Sequence, residues 1–462
     1  MVSVFSRLSS TSRYRAGVVA IAIATGGCAV HHAPEPSAGP QTPSAATELH
    51  LGLRSVAGDP GADPRAPAST DQIVLLADGV AADPATVAAQ LLGPGCDWRL
   101  LRAYPQLGAF AVRAAPPALA RLTGDPRVAA VTADRTLRTQ ATAGQVVGAT
   151  KARALLGLAG AGVRIALIDS GVDAAHPDLA GRVVAQQCFS QAGCPGGGKQ
   201  GPSAADVHGH GTHVASTLVG AGKLAPAGIA PEARLVAVRV FGKDGTGPTS
   251  DLLAGLDWLI GQVALHKVRV LNLSLGSSDV FAGPCDAWDP TTAKALKILS
   301  SKGVLTFAAA GNDAASGKLA TPGCLTAAVP VGATYAASYG AQTYGKLCTD
   351  SATSSAKLAC FSNRSAQLKL VAPGAFLAGA FPGAKVASLA GTSQAVPVVA
   401  ATAALLVGCN PGLPQAQVHA LLVATAKPLN DKASGLTFGL VQAAAAGKAA
   451  CPWLGPGVSG KP

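Results

Sequence analysis

Short apolar runs separated by long alanine-rich stretches set the pattern from about residue 149 to 447. Val163–Ile168, Leu235–Val238, Val268–Leu273 and Val304–Ala309 are mostly apolar along their whole length. Parallel strands covered on both faces read this way, whereas half-exposed strands alternate. The helical stretches between them imply βαβ crossovers, so the predicted fold is α/β, a central parallel sheet flanked by helices. A different pattern precedes it. Ile73–Leu76, Ala109–Val112 and Val128–Thr132 read as strands, and Pro84–Leu92 and Pro116–Leu122 as helices. That βαββαβ-like order predicts a small α+β, ferredoxin-like unit over residues 71–138. In an open parallel sheet, ligands bind beyond the carboxyl ends of the strands, so candidate chemistry is sought there.

The flanking segments carry no such period. Residues 28–70 are rich in Pro, Ala, Gly and Ser and read as a linker, and residues 448–462 as a C-terminal tail. In residues 1–27, Arg7, Arg13 and Arg15 precede the apolar stretch Val18–Ala24 and then Gly26-Gly27. A basic head, a short apolar centre and small residues predict an export signal. The apolar part falls well short of the ~20 residues that span a bilayer. The ending resembles a bacterial lipoprotein cleavage box with Cys28 as the acylated residue, although Thr25 stands where that box carries an aliphatic side chain. The expected address is therefore outside the cytoplasm, in the cell envelope through a lipid at Cys28 or free in the medium.

Composition narrows the function classes. Hydrophobic residues make up 49% of the chain and charged ones 13%, enough apolar surface for a large core and too little charge for a solvated, disordered chain. The net charge of +12 is scattered, without a basic run or interleaved aromatic residues. Nucleic acid is therefore not an expected partner, and a membrane is expected only through Cys28. With Cys28 and Cys96 set aside, eight cysteines remain of the 10. Eight allow 105 pairings; joining neighbours (188–194, 285–324, 348–360, 409–451) closes the shortest loops. The absence of any CxxC pair argues against a zinc site.

Four sites on the strand–helix pattern carry candidate chemistry. The first strand run leads into Asp169-Ser170-Gly171, a carboxylate at a strand's carboxyl edge; alone, an Asp before Gly is an ordinary turn. Asp206 to Ser216 contains His208, His210 and His213 ahead of an apolar helical run. Flanking glycines leave His210 open as a general base. His-x-His-x-x-His also offers three metal ligands, but no acidic or Cys ligand lies at the spacing zinc hydrolases use, so catalysis is the stronger reading. In Gly391-Thr392-Ser393-Gln394-Ala395-Val396-Pro397, a helix begins near the serine and Pro397 is taken to lie near its first turn. A serine there is either a cap or a nucleophile at the helix's positive end. Finally, Asn312 follows Ala309-Ala310-Gly311 at another strand end, as a turn residue or as a donor to a developing oxyanion.

Together these segments resemble the signatures of the subtilisin-like serine peptidases (subtilases, peptidase family S8): Asp169–Asp173 with His176-Pro177-Asp178-Leu179, His210–Ala215, and Gly391–Pro397. Gly228–Ala233 and Leu273–Gly276 resemble the family's connecting segments. The order Asp, His, Ser is also the family's, and the likeness runs from about residue 145 to 447, nearly two-thirds of the chain. The resemblance implies a serine endopeptidase acting on polypeptides, with Asp169, His210 and Ser393 catalytic and Asn312 in the oxyanion hole. It further implies that Leu273, Ser274, Leu275 and Gly276 line the extended substrate and that Ala309, Ala310 and Gly311 wall the primary specificity pocket. Residues 71–138 resemble the inhibitory propeptide of a zymogen, the chain's own inhibitor, with maturation near Thr139–Gly144.

No cofactor or metal is required by this chemistry. The family often carries structural calcium, and Asp178 matches one of its ligands. The corresponding loop, Gly220–Pro226, offers no carboxylate or carboxamide, too few partners for an ion that takes six to eight oxygens. Asp313, after Asn312, is either a solvated loop residue or a preference for basic substrate side chains. Two rivals remain on sequence grounds. One is a metal-dependent hydrolase built on the three histidines; the other is a catalytically dead binding protein on the same fold.

Overall fold

The computed structural model describes residues 70–94, 97–133 and 142–454. The expected export signal, Cys28, Cys96, nearly all of the linker and the first half of the expected maturation segment, 139–141, lie outside them. The described residues form two compact units, 70–133 and 142–454.

The smaller unit is an antiparallel sheet in the order Trp98–Tyr104, Ala109–Ala114, Thr70–Leu76, Val128–Ala133. Helices Pro84–Leu92 and Pro116–Ala120 accompany it. Asp83 caps the first by accepting the Thr86 amide hydrogen, and Pro84 opens it where no amide is needed. Val74, Leu92, Phe110, Val112 and Leu122 form its core. The Trp98–Tyr104 strand (WRLLRAY) lacks a clean alternation of buried and exposed positions, so its sequence carries no period-2 signal.

The larger unit is an α/β fold around a ten-stranded, largely parallel sheet. Its order is Lys427–Asp431, Leu436–Leu440, Leu370–Ala375, Ala328–Tyr335, Leu305–Ala309, Val268–Leu273, Arg164–Asp169, Arg234–Arg239, Val183–Phe189, Gln200–Gly201. Only the outermost pairings are antiparallel. The first strand in this order of assembly, Arg164–Asp169, lies between Arg234–Arg239 and Val268–Leu273. Later strands are added on the Val268–Leu273 side, so the winding reverses between these two strands. That switch point is where an open α/β sheet leaves a crevice, and Asp169 and Ser274 stand at its edge.

Two helices complete the crevice: the histidine helix, His210–Val219, and the serine helix, Thr392–Cys409. Nearly every residue of the serine helix is buried. Its alanines allow close approach to the sheet, and each fully buried Val or Leu contributes about 1.5–3 kcal/mol of transfer free energy. The helix is long and apolar enough to cross a bilayer, but 83% of that window is buried within the unit, so it is a core helix. Disulfides join Cys188–Cys194, Cys285–Cys324, Cys348–Cys360 and Cys409–Cys451, the neighbour pairing expected from the sequence.

Candidate active site

Asp169 closes its strand at the switch point and is fully buried. Its Oδ1 accepts the His210 Nδ1 hydrogen at 2.7 Å and the Ser170 amide hydrogen at 2.7 Å. Oδ2 is buried without a partner, so the charge of this carboxylate finds its main compensation in the imidazole. Gly211 permits this approach: a methyl group there would fall 2.1 Å from the Gly171 carbonyl oxygen and 3.1 Å from Asp169 Oδ1. The bond to Nδ1 fixes the tautomer that leaves Nε2 as the basic nitrogen. Burial pushes the His210 pKa down, but the charge and hydrogen bond of Asp169 and the charge of Asp206 outweigh it, and the net shift is upward.

Asp206, not singled out from the sequence, organises the start of the histidine helix. Its carboxylate accepts hydrogens from Ser170 Oγ and from the amides of His208, Gly209 and Thr212 at 2.9–3.0 Å, and from Thr212 Oγ1. An acidic side chain just ahead of a helix is a capping signal, and that signal was present in the sequence. Ser170 Oγ in turn accepts the Gly211 amide hydrogen at 2.9 Å, tying the Asp169 turn to the helix.

The three histidines have different fates. His210 faces Asp169. His213 is fully buried, donates from Nε2 to the Leu377 carbonyl at 2.9 Å, and has its pKa lowered to about 4 by burial; it stays neutral and structural. His208 lies 6.4 Å from His210, ring centre to ring centre. Among the described residues no three His, Cys, Asp or Glu side chains converge as metal ligands.

Ser393 is the second residue of its helix and half-buried. Asn312 follows the strand Leu305–Ala309. Its Oδ1 accepts from the Thr392 amide at 2.8 Å and from Thr392 Oγ1 at 2.9 Å. That orientation turns Nδ2 toward the space beside Gly391. A methyl group on Gly391 would lie 3.5 Å from Asn312 Nδ2 and 3.7 Å from the Ser393 amide nitrogen, so two donors border one small space at the positive end of the helix. His210 Nε2 and Ser393 Oγ make no hydrogen bond in the structure, to each other or to other described groups; such bonds are often long before substrate binds.

Pro397 departs from the expectation that it marks the first turn. The helix starts at Thr392, so Pro397 is its sixth residue and removes the amide that would bond the Ser393 carbonyl. Ser274 Oγ supplies that bond instead, at 2.7 Å. Leu273, Ser274 and Leu275 are buried and Gly276 is exposed, while Ala309, Ala310 and Gly311 are all buried. Asp313 is exposed and held by Asn363, whose Nδ2 donates to its Oδ2 at 2.9 Å.

Asp178 does not fit a calcium site. It is fully buried, and its carboxylate accepts the backbone amide hydrogens of Lys223, Leu224 (3.1 Å) and Ala225 (2.8 Å). Donors directed at both oxygens satisfy an anion and repel a cation. The Asp178 carbonyl also accepts from the Ala221 amide at 2.9 Å.

Residues 160–441 match the subtilase family. The chain is similar to subtilisin BL of Lederbergia lenta, 37% identical over 276 residues that make up 60% of this chain and 87% of the relative. It is similar to subtilisin E of Bacillus subtilis at 32% over 345 residues, 72% of this chain and 79% of the relative. Among solved structures it resembles a protease from Pseudoalteromonas arctica, at 27% identity and a TM-score of 0.53, covering 63% of this chain and 91% of that one.

Proposed function

Because the chain belongs to the subtilase family and is a serine endopeptidase that hydrolyses polypeptides, we propose that Asp169, His210 and Ser393 are its catalytic triad. The observation that carries this reading is the 2.7 Å contact between Asp169 and His210 Nδ1 at the sheet's switch point. His210 Nε2 takes the Ser393 hydroxyl proton as Oγ attacks the scissile carbonyl, and the imidazolium is stabilised by the buried Asp169 charge. Negative charge that develops on the carbonyl oxygen is met by Asn312 Nδ2 and the Ser393 amide. His210 then protonates the leaving amine, and water, deprotonated by the same nitrogen, releases the acyl group. Leu273–Gly276 and Ala309–Gly311 line the substrate in this reading.

The wider biology belongs to the same proposal. Residues 71–138 act as an inhibitory propeptide, residues 1–27 direct export, and Cys28 carries a lipid. The four disulfides fit an oxidising compartment. No cofactor takes part, and the amide-filled Asp178 site takes up no calcium. The test is labelling of the purified protein with a fluorophosphonate followed by mass spectrometry. Labelling at Ser393, absent in Ser393→Ala and indifferent to chelator, is expected; labelling elsewhere, or chelator-sensitive hydrolysis, overturns the assignment. The same spectra report the mature N-terminus and any acyl group on Cys28.

A further inference from the structure

Pro397 and Ser274 form a matched pair across the fold. A helix residue normally donates its amide to the carbonyl four positions back, and for Ser393 that donor is residue 397, a proline. The Ser393 carbonyl would be left as an unpaired acceptor beneath the reacting centre, a costly state for a buried group. Instead Ser274, 2% exposed at the end of the central strand Val268–Leu273, donates from Oγ at 2.7 Å. The direction of that proton is fixed from behind: Asn272 Nδ2 donates to Ser274 Oγ at 2.9 Å, which occupies a lone pair and leaves the hydroxyl hydrogen for Ser393.

We infer that Ser274 is a positioning residue, one that holds the Ser393 backbone in catalytic register by standing in for the amide missing at Pro397. The inference rests on Ser393 being the nucleophile. The peptide unit on one side of Ser393 carries the amide proposed for the oxyanion hole, and the unit on the other side carries the carbonyl held by Ser274. Anchoring the carbonyl to the sheet therefore sets both the Oγ and the amide against Asn312, which comes from the neighbouring strand Leu305–Ala309. A proline in place of the regular bond leaves the serine's own carbonyl fastened to the strand that lines the crevice, not to the next turn of its helix.

The test is a rescue experiment on the full chain. Ser274→Ala is expected to lower kcat by about 10–100-fold, the scale of a misplaced reacting group, with KM little changed and slower fluorophosphonate labelling of Ser393. Pro397→Ala in the Ser274→Ala background restores an amide donor to the same carbonyl and is expected to recover most of both rates. Ser274→Cys, close in size and a weaker donor, is expected to fall between wild type and Ser274→Ala, and it serves if the alanine variant fails to fold. Wild-type kcat in Ser274→Ala, or a loss that Pro397→Ala does not reduce, or a Ser274→Cys variant no better than Ser274→Ala, overturns the inference. Wild-type labelling at a residue other than Ser393 would instead remove the premise, so the two failures are distinguishable.

Discussion

Asp169 and Asp178 are nine positions apart on one excursion from the sheet, and both are fully buried. Asp169 has one oxygen on an imidazole and the other without a partner. Asp178 has both oxygens enclosed by three backbone amides. Burial makes either charge expensive unless it is compensated, and the manner of compensation separates their roles. Fixed dipoles satisfy Asp178 completely and leave it nothing to do but hold the Ala221–Ala225 loop, which follows the histidine helix, to its own turn. Asp169 is compensated best when its partner becomes a cation, the condition reached in a transition state that protonates His210. A buried carboxylate is thus structural when its surroundings are already complete, and catalytic when a proton transfer completes them.

The largest effects fall on the catalytic side of this contrast. Ser393→Ala or His210→Ala is expected to lower kcat about 10⁶-fold on a peptide anilide, and Asp169→Asn about 10⁴-fold, scales set by subtilisin's own triad. Unfolding midpoints of the serine variant should stay near wild type. Next comes Asn312→Leu, which removes one of the two proposed oxyanion donors and is expected to cost about 10²–10³-fold in kcat with KM nearly unchanged, again the scale known from subtilisin.

Asp178→Asn reverses the pattern. It keeps near-wild-type kcat at 25 °C but turns one acceptor into a donor facing backbone amides. A loss of about 1–3 kcal/mol follows, which lowers the thermal midpoint by several degrees in a domain of this size. Calorimetry with and without chelator should give the same wild-type midpoint, since backbone amides already fill the Asp178 carboxylate. A wild-type midpoint that drops with chelator and recovers with calcium, while Asp178→Asn ignores both, would break the comparison. So would a kcat loss in Asp178→Asn comparable to that of Asp169→Asn.

Much of this was legible in the sequence because both the fold and the site rest on local signals. Parallel core strands such as Val268–Leu273 are mostly apolar, and the proposed triad residues sit in short, distinctive segments. What stayed hidden depends on partners far along the chain. Asp178 looked like an incomplete calcium ligand because its real partners are backbone amides, which have no sequence signature. Ser274 looked like a substrate-lining residue, while its hydroxyl answers a proline 123 positions later. The hairpin of Leu377–Phe381 and Lys385–Leu389, which receives the His213 and His176 side chains through the carbonyls of Leu377 and Lys385, also went unread. The Trp98–Tyr104 strand was missed for a third reason, its blurred alternation.

The smallest expected effect separates charge from contact at His210. Burial lowers its pKa, but Asp169 and then Asp206 raise it further, to a net position above the ordinary 6.5. In the proposed mechanism the neutral imidazole is the working base, so kcat/KM should rise with pH along an acid limb whose midpoint lies above 6.5. Asp206→Asn removes one of the two negative charges while leaving the Asp169 contact in place, so the limb should move to lower pH. Because Asp206 is partly solvated, high salt should shrink the shift, whereas the contribution from buried Asp169 should persist. Stability carries the opposite sign. A histidine whose folded pKa is raised stabilises the fold below 6.5, and that contribution is lost as pH rises through the folded pKa. The pH range in which His210 is neutral and catalytically useful is therefore the range in which the Asp169 pair contributes least to holding the fold. A pH–rate profile of Asp206→Asn beside a pH series of unfolding midpoints on Ser393→Ala, which cannot digest itself, measures both sides. An acid limb unmoved by Asp206→Asn would mean that Asp206 acts on His210 only through the capped helix start, and not through its charge.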